Sequence, residues 1–263
     1  MDKNANRFIK NQRLGRSFWG LVCWSLLRHK YLLPTFSIVQ AFLSLAIIYG
    51  LALLIPDIQT TEAIYLSSGA VVIGMIGVGC VLAAQIVSSA KQTGVVAYQR
   101  TLPVKRYEII FADLIIWGLA SVPGIVMAWI AACWRFHLNL TINPLSIAVM
   151  GLVQATMILI GFSIAYWLPT NMVSVATQVI MIGGLLFSPI TYPEDRLPEW
   201  LTTAYRVLPF VPASKLVRAT MFQIGSFKFA DLLAVLVWMA VAFGCSNRAL
   251  NKRGVKSFDN VAD

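Results

Sequence analysis

Residues 66–89 read LSSGAVVIGMIGVGCVLAAQIVSS, a stretch without a charged side chain. A helix needs about 20 predominantly apolar residues to cross the hydrocarbon core of a bilayer. Within lipid every backbone amide must be paired inside its own segment, which favours a helix over an open strand. The stretch is therefore predicted to be a membrane-spanning helix, and it decides the fold class.

Five other apolar runs have the same character, although the last two are short. The predicted spans, in addition to Leu66–Ser89, are Tyr31–Ile55, Ile109–Trp134, Pro144–Leu168, Asn171–Phe187 and Phe229–Cys245. Hydrophobic residues make up 58% of the 263 residues and charged residues only 12%, whereas soluble domains carry roughly 25% charged residues. We predict an all-α integral membrane protein whose six-helix transmembrane domain occupies residues 31–247.

The basic residues indicate the orientation of these spans. Lys and Arg cluster before the first span, between the second and third spans, and in residues 248–263, whereas the loop after the first span contains Asp57 and Glu62 but no cation. Cytoplasmic loops are enriched in Lys and Arg. Both termini, including a basic tail at 248–263, are therefore predicted to lie in the cytoplasm, at the cell membrane. The net charge of +10 is attributed to topology and not to nucleic-acid binding.

Two segments outside the spans are also predicted to be helical. Residues 1–30 are interpreted as a cytoplasmic segment whose part Phe8–His29 is an amphipathic helix in the membrane interface; a plain extension of the first span is the alternative. Residues 188–228 contain five of the eleven prolines. They are predicted to form an external re-entrant pair of short helices, one starting at Pro198 and ending at Pro209, the other running from Ser214 to about Gln223.

The sequence contains few residues typical of an active site. It has no phosphate-binding GxxxxGK[ST] loop, no HExxH or CxxC motif, and only two histidines, so we predict neither catalysis nor a metal site. The polar residues within the spans are interpreted as forming interhelical hydrogen bonds; they are Thr156 and the glutamines Gln40, Gln85, Gln154 and Gln178. The four glutamines are alternatively candidates for a translocation path. The glycines Gly74, Gly77, Gly79 and Gly161 predict close helix packing, and the first three alternatively a seam between subunits.

Two further stretches resemble a known family. They are KQTGVVAYQRTLPVKRYEIIFADLI at 91–115 and SPITYPEDRLPEWLTTAYRVLPFVPASKLVRA at 188–219. Both are similar to the exporter-type permease subunits of ATP-binding cassette (ABC) transporters, also called the second ABC-transporter membrane family, which includes drug, lantibiotic and polysaccharide exporters. The second stretch carries the family-like pattern, with Ser188, Pro189, Tyr192, Pro193, Leu197 and Pro198.

The resemblance implies a division of labour. ATP and Mg would be bound by a separate ABC ATPase subunit, present in two copies, and this chain would form a homo- or heterodimer with a second permease chain in the lipid. A short cytoplasmic helix between the second and third spans would dock on the ATPase. The residues at or near that contact would be Gln92, Thr93, Gly94, Tyr98, Gln99, Arg100 and Pro103.

Two other functions remain open at the level of the sequence. A stand-alone secondary transporter or channel is the first alternative, although the span interiors lack the carboxylates by which ion-coupled transporters usually work. A membrane-embedded enzyme is the second. The exported substrate is left open among drugs, peptides, lipid-like molecules and glycans.

Overall fold

The computed structural model describes residues 18–54, 59–137, 143–186, 188–191, 198 and 207–251, and these residues form helices and no strands. In chain order the helices are α1 (18–29), α2 (Leu32–Leu54), α3 (Thr60–Gln92), α4 (Val95–Thr101), α5 (Arg106–Phe136), α6 (Pro144–Trp167), α7 (Thr170–Leu186), α8 (Phe210–Met221) and α9 (Phe229–Asn251). The prediction of an all-α membrane protein is confirmed.

Five of the described helices are long and apolar enough to cross a membrane: α2, α3, α5, α6 and α9. The helix at the fifth predicted span, α7, is also apolar but has only 17 residues, so the count of six spans stays a prediction. Several helices exceed their predicted spans, and α3 begins at Thr60 instead of Leu66. Apolar composition indicates where a helix meets lipid, whereas the helical backbone continues until a residue such as Gly94 breaks it.

The helix α3 lies at the centre of the bundle and is mostly buried. It is α-helical over Thr60–Ile76 and Ala83–Gln92, with a π-helical segment at Gly77–Leu82 between them. The π-helical segment packs against α6 at a point where both helices have a glycine. A Cβ atom added to Gly79 would lie 2.6 Å from the backbone carbonyl carbon of Met157, and one added to Gly161 would overlap the carbonyl oxygen of Gly79. The glycines thus permit backbone-to-backbone contact, which confirms the prediction of close packing.

The first span, α2, packs along α5 on the other side of the core. Pro123 lies inside α5, where its missing N–H interrupts the helical hydrogen-bond ladder. Serine hydroxyls from α2 reach this part of α5: Ser37 Oγ donates to the carbonyl of Ala120 at 3.3 Å, and Ser44 Oγ donates to the carbonyl of Gly124 at 3.2 Å. These two bonds join α2 to α5 on either side of Pro123, but neither accepts at the carbonyl of Leu119, whose helical donor the proline removes.

The contact between Gly79 and Gly161 gives a prediction about stability. Gly161→Ala places a methyl group into backbone atoms of α3, and overpacking of this kind costs about 1–3 kcal/mol. We expect the variant to unfold at a lower temperature in detergent and to elute less homogeneously in size-exclusion chromatography. Gly244→Ala is the matched control, because a Cβ there meets nothing within 4 Å. Equal stability of the two variants would contradict the close contact.

Candidate functional site

The chain turns sharply on the predicted cytoplasmic side, between α3 and α4. Gly94 has φ of 77°, in the left-handed region, and precedes the first residue of α4. Only glycine adopts this conformation without a Cβ penalty. The turn therefore makes α4 a separate short helix that projects from the end of α3.

One face of α4 packs against the protein and the other is exposed. Val96 and Gln99 are buried, with 5% and 2% of their surfaces exposed. Ala97, Tyr98 and Thr101 lie on the outer face, where Tyr98 exposes 57% of its surface. An aromatic side chain left this open outside the lipid is available for contact with another protein.

Two arginines fix α4 in place. Arg106, at the start of α5, donates from Nη2 to the carbonyl of Arg100 at 2.6 Å and from Nη1 to the carbonyl of Gln99 at 3.3 Å. Arg100 itself donates from Nη2 to the carbonyl of Ala249 in the last turn of α9, at 3.1 Å. A cation at the C-terminal end of a helix also interacts favourably with its dipole. The helix α4 is thereby connected to both α5 and α9.

A lysine attaches the end of α3 to α6. Lys91 Nζ donates to the carbonyls of Ala165 at 2.8 Å and Leu168 at 2.9 Å. These carbonyls belong to the C-terminal end of α6, where helical partners are missing. Lys91 stands only three residues before Gly94, so the attachment of α3 to α6 lies beside the turn that leads into α4.

The residues predicted to contact the ATPase fall into two groups. Gln92, Thr93, Gly94, Tyr98 and Pro103 are exposed. Gln99 is buried, whereas Arg100 is half-buried and bonded within the chain, so in this structure both side chains help to position α4. Sequence reasoning could not separate the groups, because seven helical residues do not reveal which face meets the bundle.

A buried polar cluster between α1 and α5 was missed by the sequence analysis. Ser25 Oγ donates to Asp113 Oδ1 at 2.6 Å, and Arg28 Nη2 lies 4.0 Å from the same oxygen. The hydrophobic side of α1 packs beside this cluster, with Leu21 and Val22 against Ile109 and Ile116 of α5. The N-terminal helix is therefore attached to the bundle. The one sign of this cluster in the sequence was Asp113, a carboxylate near the end of a predicted span. A buried carboxylate needs a hydrogen-bond donor, and the sequence did not identify Ser25 as that donor.

The cluster also contains a histidine. His29 is buried, and its Nδ1 lies 2.9 Å from the carbonyl oxygen of Ser25. Burial, and next the adjacent Arg28 cation, hold the pKa of His29 below its ordinary value, although Asp113 opposes this shift. Because α1 also contacts α4 through the rings of Trp24 and Tyr98, whose centroids are 6.3 Å apart, the cluster and the exposed face of α4 are neighbours.

A buried arginine fixes α8 at the end of the bundle opposite to α4. The guanidinium of Arg218, in α8, lies 3.7 Å from the centroid of the Tyr65 ring. Its Nε donates to Ser68 Oγ at 3.1 Å, and its Nη2 donates to the carbonyl of Ile190 at 2.9 Å. One cation thus joins α8 and the 188–191 segment to the N-terminal part of α3. No local pattern in the sequence around Arg218 identified these partners.

The predicted re-entrant residues are only partly described. Ser188 and Pro189 are buried, and Pro198 is exposed. Tyr192, Pro193 and Leu197 lie outside the described residues. The second helix of the predicted pair is present as α8, but it begins at Phe210 instead of Ser214, because Pro209 precedes a helix here and its fixed φ suits that position.

The sequence that forms these helices matches a known protein family. A family model described as ABC-2 type transporter matches residues 18–222, which takes in α1 to α8. The chain belongs to the ABC-2 type transporter family. It is a multi-pass membrane permease of an ABC transporter, and the permease component of such transporters is not itself catalytic. The search of curated proteins found no significant match.

The four candidate path residues of this permease do not converge. Gln40 is buried against Gly77 and Gly124, and Gln85 Nε2 donates to Thr177 Oγ1 of α7 at 3.5 Å. Gln154 is buried in α6, whereas Gln178 is exposed on α7. A single subunit therefore has no common polar channel formed by these four side chains.

His29, in the buried polar cluster between α1 and α5, gives a prediction about how stability depends on pH. Because folding holds the pKa of His29 below its ordinary value of 6.5, the unfolded chain binds the proton more readily. The stability that neutral His29 contributes is present above that value and is lost as the pH falls below it. We expect the permease to lose more thermal stability between pH 7.5 and 5.5 than the His29→Gln variant does, measured by the unfolding temperature in detergent.

The control for this experiment is His137→Gln, since His137 is exposed at the other end of α5. It should keep the pH dependence of the unmodified permease. If His29→Gln keeps that dependence as well, proton uptake at the cluster does not control stability.

Proposed function

We propose that this permease is the membrane subunit of an exporter driven by a separate ABC ATPase. ATP and Mg would be bound by two copies of that ATPase and not by this chain. The main support for the proposal is that α4 is firmly attached to its own subunit and exposed on its other side. Arg100 and Arg106 fix this short helix, while its outer face presents Tyr98. A helix that must transmit force has to be rigid towards its own subunit and accessible to its partner.

The exposed face of α7 supports pairing with a second permease chain. Asn171, Ser174 and Gln178 recur there at helical spacing, and Gln178 lies ~12 Å along the helix from its first turn. Polar side chains are unfavourable against lipid unless they find a partner. A second permease subunit, of the same or a related sequence, and the polar path enclosed between the two would supply those partners.

The proposed direction of transport is outward. It rests on the likeness of residues 91–115 and 188–219 to exporter-type permeases, and the substrate would be a drug, a peptide, a lipid-like molecule or a glycan. The proposed location is the cell membrane, with both termini in the cytoplasm, as the distribution of Lys and Arg indicates.

Tyr98→Ala tests the coupling role. An aromatic anchor in an interface contributes about 2 kcal/mol or more, so we expect at least about a tenfold loss of the ABC ATPase that co-purifies with the tagged permease. The variant should reach the membrane at normal levels, because Tyr98 exposes 57% of its surface and the loss of its ring contact with Trp24 removes little buried area. The matched control is Tyr31→Ala, which removes an exposed tyrosine in the turn before α2 and should leave the ATPase bound. An unchanged yield of ATPase with Tyr98→Ala would reject the proposed contact.

The orientation can be measured with an impermeant thiol reagent on intact cells. Thr61→Cys, at the exposed start of α3, should be labelled from outside. Lys105→Cys, exposed between α4 and α5, should be labelled only after the cells are opened. Both would be made with Cys23 replaced by Ala, since Cys23 is exposed. The reverse pattern would place α4 outside the cell and remove it from any cytoplasmic ATPase.

A further inference from the structure

A groove runs between α5 and α6 on the side of the bundle. Its volume is about 530 Å³, within the range of about 300–1,000 Å³ that is typical of ligand pockets. Apolar residues of both helices form most of the wall, and Met221 of α8 closes part of it. Val122, Val126 and Ile147 line the groove and are also exposed on the outside of the bundle. The groove therefore opens sideways, towards the bilayer.

Two polar groups in this groove have no hydrogen-bond partner among the residues that the structure describes. Gln154 lines it and exposes only 4% of its surface, and both its Nε2 and Oε1 atoms are buried without a partner among the described residues. The indole Nε1 of Trp129, across the groove in α5, is likewise buried and unpaired within that part of the chain. Buried polar groups in folded proteins are nearly always bonded, so these atoms indicate a missing partner. By contrast, Gln85 finds one in Thr177.

The residues that line the groove favour a neutral ligand that can both donate and accept a hydrogen bond. No Lys, Arg, Asp or Glu is among its lining residues, so nothing there would offset the desolvation of an ionised group. The amide of Gln154 needs an acceptor for Nε2–H and a donor for Oε1. A hydroxyl or an amide supplies both, whereas an ester carbonyl supplies only an acceptor. Gln154 lies about 15 Å along α6 from its first residue, close to the middle of the span, where a ligand arrives from the lipid.

We propose that this groove binds a neutral amphiphile from the bilayer, a molecule with one hydroxyl or amide group and a long hydrocarbon chain. The polar group bonds to the amide of Gln154, and Trp129 Nε1–H donates to it or to a second oxygen. The hydrocarbon chain lies along the apolar walls, where the unbranched side chains of Met150 and Met221 adapt to its shape. The site belongs to one permease chain, and it does not depend on the proposed ATPase partner or on the direction of transport.

The test uses the full chain, purified and reconstituted into phosphatidylcholine nanodiscs, with three photoreactive probes of equal chain length. The probes are a diazirine-bearing long-chain alcohol, the matching alkane and the matching carboxylate, and cross-linked peptides are mapped by mass spectrometry. We expect the alcohol to label α5 and α6 at the groove in a saturable way and to be displaced by unlabelled alcohol.

Gln154→Leu should reduce labelling by the alcohol about tenfold, the effect of losing about 1.4 kcal/mol, and should leave labelling by the alkane unchanged. The unchanged alkane signal shows that the groove is still formed. Thr156→Val is the matched control. It removes a polar atom from the same helix, but that hydroxyl donates to the carbonyl of Leu152 at 2.8 Å and lies outside the groove, so labelling should not change.

Three results would overturn the proposal. Equal labelling by alcohol and alkane, unaffected by Gln154→Leu, would mean that ordinary lipid chains fill the groove. Preferential labelling by the carboxylate would mean that the ligand is charged. Efficient disulfide cross-linking between two copies through cysteines placed at Val126 and Ile147 would mean that a second permease chain covers the groove.

Discussion

The close approach of α3 and α6 is the contact on which the rest of the bundle depends. In a bilayer, apolar side chains gain little by leaving lipid for the protein interior, so helices associate through tight packing and hydrogen bonds. Gly79 and Gly161 allow the two backbones to touch, and the buried thiol of Cys80 donates to the carbonyl of Met157 at 3.4 Å beside them. The other long helices, α2, α5 and α9, and the shorter α7 pack around this pair. A larger residue at either glycine would separate α3 from α6.

The two ends of the bundle are fixed by cations bonded to backbone carbonyls. Lys91 and Arg106 do this at the end that carries α4, and Arg218 does it at the end that carries α8. Hydrogen bonds to charged groups contribute about 1.5–3 kcal/mol each, more than neutral ones, and the span ends provide carbonyls without helical partners. The result is a permease whose short helices are rigidly attached at both ends. For a subunit that is proposed to convert the movement of an ATPase into movement of its spans, such attachment is a physical requirement.

The amides within the membrane have different roles, although they look alike in the sequence. Gln85 joins two helices through Thr177, and Gln178 lies on an exposed helix face. Gln154 lies in an apolar groove without a partner in the described part of the chain. The same side chain thus contributes to packing at one position and is available to a partner subunit or a ligand at another. The surroundings, and not the residue type, decide which role applies.

The sequence by itself determined the fold class, the family and the approximate spans, because each depends on composition, charge distribution or local motif. Lipid contact requires apolar runs of a given length, and residues 66–89 or 144–168 reveal them without any tertiary contact. The sequence also placed a short helix after Lys91 and the glycines in helix contacts. Only the tertiary structure decided which side of α4 is exposed; it buried Gln99 and bonded the half-buried Arg100 to the carbonyl of Ala249. It alone brought Ser25 to Asp113 and Arg218 to Tyr65. These pairs are far apart in the chain, and the geometry of the packed helices, which no local pattern encodes, determines which groups meet.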